Sequence, residues 1–255
     1  MNILGKTAVI SGGASGLGEA VARRFISLGA NAVILDFNEE KGRVLTDDLG
    51  SRAAFIKTDI TLTDQVQGAL EFSLQRFRQI DIVVNCAGIS SRSKIATRKG
   101  PHNLAEFKKV IAVNLVGVFD VMRLASFQML NNDLNDEGGK GVIINTSSIA
   151  AFDGQIGQAA YAASKAALVG MTLPVARDLA GDGIRVLTIA PGLFATPMMA
   201  LLPDQLQDEL ARAVPFPSKL GDPDEFAMLV QQLVENPMLN GETIRLDGAL
   251  RMAPK

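Results

Sequence analysis

Tryptophan is missing from this chain, and cysteine, histidine and tyrosine occur once each, as Cys86, His102 and Tyr161. A single cysteine excludes an intramolecular disulfide framework and removes cysteine-based zinc motifs. A single histidine leaves no basis for the usual transition-metal sites, so no metal is expected. Excess charge of either sign is also lacking. The formal net charge is −2, and no sequence-wide cationic field exists to draw in nucleic acid or an anionic membrane. The longest uncharged stretch, Val186–Pro203, is broken by Pro191, Gly192, Pro197 and Pro203, so a spanning helix is not expected there. The opening Met-Asn-Ile-Leu-Gly-Lys lacks the basic and apolar regions of a signal peptide. The expectation is a soluble intracellular protein. It would be cytoplasmic, or in the mitochondrial matrix if the source is eukaryotic, although no Arg-rich presequence is present.

What the chain does have is apolar bulk. Of 255 residues, 47% are hydrophobic and 20% charged, which excludes a disordered chain and supplies a core. Apolar runs of strand length alternate with longer stretches of helical period. Strands are expected at Thr7–Ser11, Ala32–Asp36, Ala53–Thr58, Ile82–Asn85, Gly141–Thr146, Arg185–Ala190 and Glu242–Leu246. Helices are expected near Gly16–Leu28, Glu39–Leu49, Leu62–Phe77, Leu104–Met129, Gln158–Leu179 and Asp222–Val234. The strands are rich in Val, Ile and Ala with little polar alternation, as when both faces are covered. This pattern predicts one α/β domain over residues 1–255. Its fold is a Rossmann-type, doubly wound, seven-stranded parallel sheet of order 3-2-1-4-5-6-7. Two loops break the rhythm, Ser90–Asn103 and Leu193–Pro223. The second carries Pro197, Pro203, Pro215, Pro217 and Pro223. Both should leave the carboxyl ends of strands, where open α/β sheets bind ligands.

The first chemical motif is Ser11-Gly12-Gly13-Ala14-Ser15-Gly16-Leu17-Gly18. Glycines at 12, 16 and 18 allow a tight turn and let backbone approach a diphosphate at the helix N-terminus. Asp36 ends the second strand, where its carboxylate can accept from ribose hydroxyls and would repel a 2′-phosphate, so NAD is preferred over NADP. Capping the next turn is the competing role. Asp59, ending the third strand, either meets the adenine amino group or caps the helix after Thr61. Asn85-Cys86-Ala87-Gly88 closes the fourth strand, and Cys86 reads as a buried, inert thiol. The decisive group is Ser148, Tyr161 and Lys165. Tyr161 lies four residues before Lys165, so both project from one helix face. A free phenol titrates near about 10, and an adjacent ammonium should lower that value. With Ser148 holding the substrate oxygen, the set suits proton transfer at an alcohol while hydride moves at the adjacent carbon. Asn114 interrupts the apolar run Val110–Val116. It is either a satisfied core amide or the holder of a water that relays protons past Lys165. Pro191-Gly192-Leu193-Phe194-Ala195-Thr196 offers backbone groups and a hydroxyl to a carboxamide, or is a plain strand exit.

Taken together, these residues resemble the short-chain dehydrogenase/reductase family over essentially the whole chain. Asn114 and the terminal Leu246-Asp247-Gly248 belong to the match. Ser11 stands where the family usually has Thr, and Cys86 where it usually has Asn. Segments Gly12–Gly18, Val84–Ile89, Gly154–Tyr161, Gly170–Leu179, Val214–Ser218 and Leu239–Met252 are similar to the family's type II 3-hydroxyacyl-CoA dehydrogenase branch, which also covers hydroxysteroids. The resemblance implies NAD, a homotetramer and oxidation of 3-hydroxyacyl-CoA or related secondary alcohols. It places Ser15, Leu17, Asp36, Asp59, Ile60, Cys86, Phe194 and Thr196 in the NAD site beside Gly12, Gly16, Gly18, Gly88, Pro191, Tyr161 and Lys165. Ser148 would also touch substrate. A broad ketone, steroid or 3-oxoacyl-thioester reductase is the alternative within enzymes, and a nucleotide-binding scaffold the alternative outside them.

Two features bear on substrate. Arg92, Lys94, Arg98 and Lys99 lie in one loop without an acid. They either meet coenzyme A phosphates or are simply solvated. Met198–Leu202 with Phe216 is apolar and adaptable, suiting an acyl chain or sterol, or else a helix or subunit contact.

Overall fold

The computed structural model describes residues 1–197 and 199–254. Seven parallel strands, β1 (Thr7–Ser11), β2 (Asn31–Asp36), β3 (Ala53–Lys57), β4 (Ile82–Asn85), β5 (Gly141–Thr146), β6 (Ile184–Pro191) and β7 (Thr243–Leu246), form one sheet. Their order is β3-β2-β1-β4-β5-β6-β7, as the alternating pattern implies. Successive residues serve opposite faces. Ala8 and Ile10 of β1, Ile34 of β2 and Ile144 of β5 pack on one side, whereas Val9, Val33 and Ile143 pack on the other. Every one of these is fully buried, and each of the Val and Ile side chains is worth about 1.5–3 kcal/mol relative to exposure. The absence of polar alternation in the strands follows directly from this.

Helices α1 (Gly16–Ser27), α2 (Glu39–Leu49) and the later α7 (Pro223–Glu235) cover the first face. Helix α3 (Thr63–Phe77), the long α4 (Leu104–Met129) and α5 (Ala159–Ala180) cover the second. By length and composition α4 and α5 could cross a membrane, yet both contribute buried side chains to the core. Element boundaries differ from the sequence reading by a residue or so.

Three features were not foreseen. A small antiparallel ladder pairs Ala96–Thr97 with Gly100–Pro101 inside the loop after β4. A short helix, α6 (Asp204–Arg212), interrupts the proline-rich excursion. The middle of α4, Ala112–Gly117, is π-helical. The order reverses direction at β1, whose neighbours are β2 and β4, and a crevice therefore opens beyond the carboxyl ends of these strands.

Candidate active site

Glycine at 12, 16 and 18 is required by space and by backbone. Gly12 has φ +66°, and a Cβ there would stand 2.6 Å from Ala87 N at the end of β4. A Cβ on Gly18 would collide with the Gly12 carbonyl. The turn thus packs against β4 and against its own helix, with the N-terminus of α1 facing the crevice. Ser15 occupies the N-cap without capping the helix through its own side chain. Asp36 fills the capping role considered for it and also braces the glycine turn. Its Oδ2 accepts from Ala14 N (3.1 Å) and its Oδ1 from Asn38 N (3.0 Å), tying the end of β2 to the glycine turn. Phe37 beside it is three-quarters exposed and brings no cation. Loop residue Thr196 closes over the turn, since a Cβ on Gly16 would lie 3.5 Å from it.

The strand ends are pinned laterally by a buried polar ladder. Ser11 Oγ donates to Asn85 Oδ1 (3.0 Å), and Asn85 Nδ2 donates to Asn145 Oδ1 (2.9 Å), joining β1, β4 and β5. Sequence reasoning missed this ladder, although polar residues ending three apolar strands were its visible sign.

Beyond β5, Ser148 caps a 3₁₀ turn, Ile149–Ala151, with its Oγ accepting from Ala150 N at 3.1 Å. Tyr161 and Lys165 project from the first turns of α5, and the Lys165 ammonium lies 5.8 Å from the phenol ring centroid. Lys165 is buried, and Nζ donates to the Thr146 carbonyl at 2.7 Å. Burial pulls it from its ordinary 10.5 down to about 8. The Tyr161 phenol behaves contrary to the sequence argument. Burial raises it, and it is the hydrogen bond with Ser148 that opposes the rise. The ammonium is tethered to a carbonyl beneath the ring and is itself desolvated, so it does not dominate the phenol.

Asn114 sits in the π-helical segment and is fully buried. Its Oδ1 accepts from Ile89 N (2.8 Å), while Nδ2 donates to Ile89 O (2.9 Å) and Ser164 Oγ (3.1 Å). The side chain is thereby a brace between β4's exit and α5, the satisfied-amide reading. Both of its side-chain donors are spent. A Cβ on Gly88 would stand 3.3 Å from Lys165 Nζ and 3.4 Å from Asn114 Oδ1. The glycine therefore lets the exit of β4 pack directly over these two buried groups.

Other candidate residues fall differently. Cys86 receives a bond from Thr146 Oγ1 at 3.5 Å, and burial raises its thiol to about 11, so it is inert as expected. Asp59 Oδ1 accepts from both the backbone N and the hydroxyl of Thr61 (2.9 and 2.7 Å), which makes it the turn's cap. Ile60 is buried against Gly117. Leu17 packs partly buried on the core. Phe194 turns its ring into the core, edge-on to Phe226 at 6.4 Å, so its backbone is what it offers a ligand. Pro191 ends β6 opposite Leu246. The His102 ring pairs with the neighbouring Asn103 carbonyl at 2.8 Å, away from any catalytic role.

Arg92, Lys94, Arg98 and Lys99 are all exposed, and Arg92 bonds Gln155 Oε1 at 2.7 Å. Between this loop and the segment before Tyr161 lies a cleft of about 420 Å³, bounded by Lys94, Ile95, Gln155, Gly157 and Ala162. Met198 lies outside the described residues. Leu201 and Phe216 are largely exposed.

A sequence model of the short chain dehydrogenase family matches residues 6–234. The chain is 53% identical over 255 residues to 3-hydroxyacyl-CoA dehydrogenase type-2 of Bos taurus, covering 99% of this chain and 98% of that protein. The crystal structure of 3-hydroxyacyl-CoA dehydrogenase type-2 from Mycobacterium avium superposes with a TM-score of 0.95 at 43% identity, covering 98% of each chain. A 3-ketoacyl-(acyl-carrier-protein) reductase from Brucella melitensis, complexed with NADH, superposes at 0.87 with 27% identity, covering 98% of this chain and all of that one.

Proposed function

The chain belongs to the short-chain dehydrogenase family, and from that premise we propose that it is an NAD-dependent oxidoreductase interconverting 3-hydroxyacyl-CoA and 3-oxoacyl-CoA, with hydroxysteroids as further secondary-alcohol substrates. The observation that carries the chemistry is the convergence of Ser148, Tyr161 and Lys165 beyond the carboxyl end of β5. The cradle fits a dinucleotide, because the turn tolerates no Cβ at Gly12 or Gly18 and a Cβ on Gly88 would crowd Lys165 Nζ. Ser15, Gly16 and the N-terminus of α1 would hold the diphosphate. Asp36 would hold the adenosine ribose, and its charge beside Ala14 disfavours a 2′-phosphate. Thr196 and the backbone of Pro191–Phe194 would hold the carboxamide.

Bound NAD supplies the hydride acceptor at the carbon that bears the reacting oxygen. Ser148 Oγ orients that oxygen. Tyr161 Oη accepts its proton on oxidation and returns it on reduction. Its raised affinity for the proton makes it a ready acid for the ketone, and oxidation gains from alkaline pH. Lys165, held by Thr146 O, would anchor the second ribose. Asn114 keeps Ile89 and α5 in register beneath them.

The cleft bounded by Lys94, with Arg92, Arg98 and Lys99 on the same exposed loop, supports a coenzyme A thioester, whose phosphates would meet these cations. A homotetramer in the cytoplasm, or in the mitochondrial matrix of a eukaryote, completes the proposal. A panel of 3-hydroxybutyryl-CoA, a 17β-hydroxysteroid and an acyl-carrier-protein thioester, each with NAD and NADP and followed by nicotinamide absorbance, tests it. Highest kcat/KM is expected for the CoA thioester with NAD. A preference for NADP with the carrier-protein thioester overturns the assignment in favour of a 3-oxoacyl-thioester reductase.

A further inference from the structure

The segment from Ile149 to Gln158 joins Ser148 to the helix that carries Tyr161. Its shape sets how the two hydroxyls meet. Beyond one 3₁₀ turn it contains Gly154 and Gly157, so little in its own composition stiffens it. The C-terminal tail holds it from outside. Gln155 Nε2 donates to Ala253 O and Ile156 N to Pro254 O, both at 3.0 Å. Leu250 and Met252 of the tail pack with Ile149, directly after Ser148.

At the centre of this junction is Arg245, near the end of β7. Its Nε donates to Asp247 Oδ2 (2.7 Å). One of its terminal nitrogens donates both to Asp153 Oδ2 (2.6 Å) and to Leu250 O (2.8 Å). The guanidinium carbon stands 5.0 Å from the Phe152 ring centroid. Arg245 and Asp153 are each only 19% exposed and Asp247 7%, so the pairs are weakly screened. A planar fork serves four partners at once, where a lysine serves one or two. Two strand-end anchors and a tail are thus tied to the one segment that spaces Ser148 from Tyr161.

We propose that Arg245 is a positioning residue for the reaction, holding Asp153 against the tail and so setting the approach of Ser148 to Tyr161 without touching substrate or cofactor. The proposal rests on the roles assigned to Ser148 and Tyr161. The informative variant is Asp153→Asn, because it leaves Arg245 its bonds to Asp247 and Leu250. Its kcat is expected to fall about tenfold, as displaced reacting groups do. KM for NAD and the dissociation constant of NADH, titrated by fluorescence, should stay within about twofold of wild type. Arg245→Met should lose at least as much kcat, Arg245→Lys should recover part of it, and Asp153→Asn in the Arg245→Met background should add nothing. Wild-type kcat in Asp153→Asn overturns the proposal, and so does a kcat loss matched by an equal loss of NADH binding. If Arg245→Met does not fold, Asp153→Asn alone decides. Normal turnover in Tyr161→Phe would instead overturn the catalytic assignment itself, so the two failures are distinguishable.

Discussion

The two sides of the crevice are built on opposite principles. On the glycine-turn side the chain leaves no spare room. Gly12 abuts β4, Gly18 abuts Gly12, and Asp36 is bonded to backbone on both oxygens. On the side of residues 90–103 the backbone runs out to the surface. It is pinned at Ser93 N to Gly157 O (2.8 Å) and at Arg92 to Gln155, while its four cations stand in solvent. Groups proposed to meet a reacting atom or a diphosphate lie where packing fixes them. Groups that would discriminate one substrate from another lie where the chain is free to vary. Lys165 is the point where the two principles meet: a charged amine forced into the packed side, at a cost to the fold.

That contrast can be broken at each end. The largest effect belongs to Tyr161→Phe. Turnover should fall about 10³-fold, within the range for removing a general acid–base group, while NADH fluorescence titration gives wild-type affinity. Retained turnover would show that the packed side does not hold the chemistry. A smaller effect is expected from neutralising Arg92, Lys94, Arg98 and Lys99 together. KM for a CoA thioester should rise about tenfold, roughly 1.4 kcal/mol of lost phosphate attraction. KM for the same acyl group on a thiol without the nucleotide should not move. Equal changes for both would make the loop a fold element rather than a specificity element.

The last effect is on stability rather than turnover, at Lys165. Below pH 8 the folded protein keeps a buried ammonium, whereas the unfolded chain keeps a solvated one. Between about 8 and the ordinary 10.5 the folded state sheds its proton first, so wild-type stability gains as pH rises through that window. Lys165→Met should therefore be more stable than wild type at pH 7 by about 1–2 kcal/mol, in a denaturant titration. The advantage should shrink toward pH 10. A less stable variant at pH 7 would mean that the bond to Thr146 O outweighs desolvation.

Much of this was legible in the sequence, for reasons that also explain the omissions. The strands could be read because a sheet covered on both faces needs unbroken Val, Ile and Ala, and the glycine turn because Cβ atoms collide there. Tyr161 and Lys165 could be paired because helical spacing is local. The π-helical turn around Asn114 could not, since it arises from the brace to Ile89 and Ser164, which are distant in sequence. Helix α6 was hidden because Leu206 and Leu210 are its main apolar spacing and none of its residues is buried. The phenol's upward displacement was missed because burial and the tether of Lys165 to Thr146 are tertiary facts. Arg245 read only as a strand residue, since Asp153 lies 92 positions earlier. The family resemblance places Phe194 in the NAD site, and its ring, turned onto Phe226, leaves its backbone for that contact.

The polar ladder across β1, β4 and β5 has a consequence for how the chain reaches this state. Ser11 and Asn85 are 74 positions apart, and Asn85 and Asn145 a further 60. The sheet's middle therefore cannot zip from local hairpins; it closes only when remote segments find one another, the slow class of assembly for which loop entropy is spent before contacts return it. The nucleotide crevice sits on that late seam, so during refolding the recovery of dinucleotide binding should coincide with the last large step of collapse, and a half-built chain with β1 and β2 alone would present bare apolar ribbon edges rather than a working half-site.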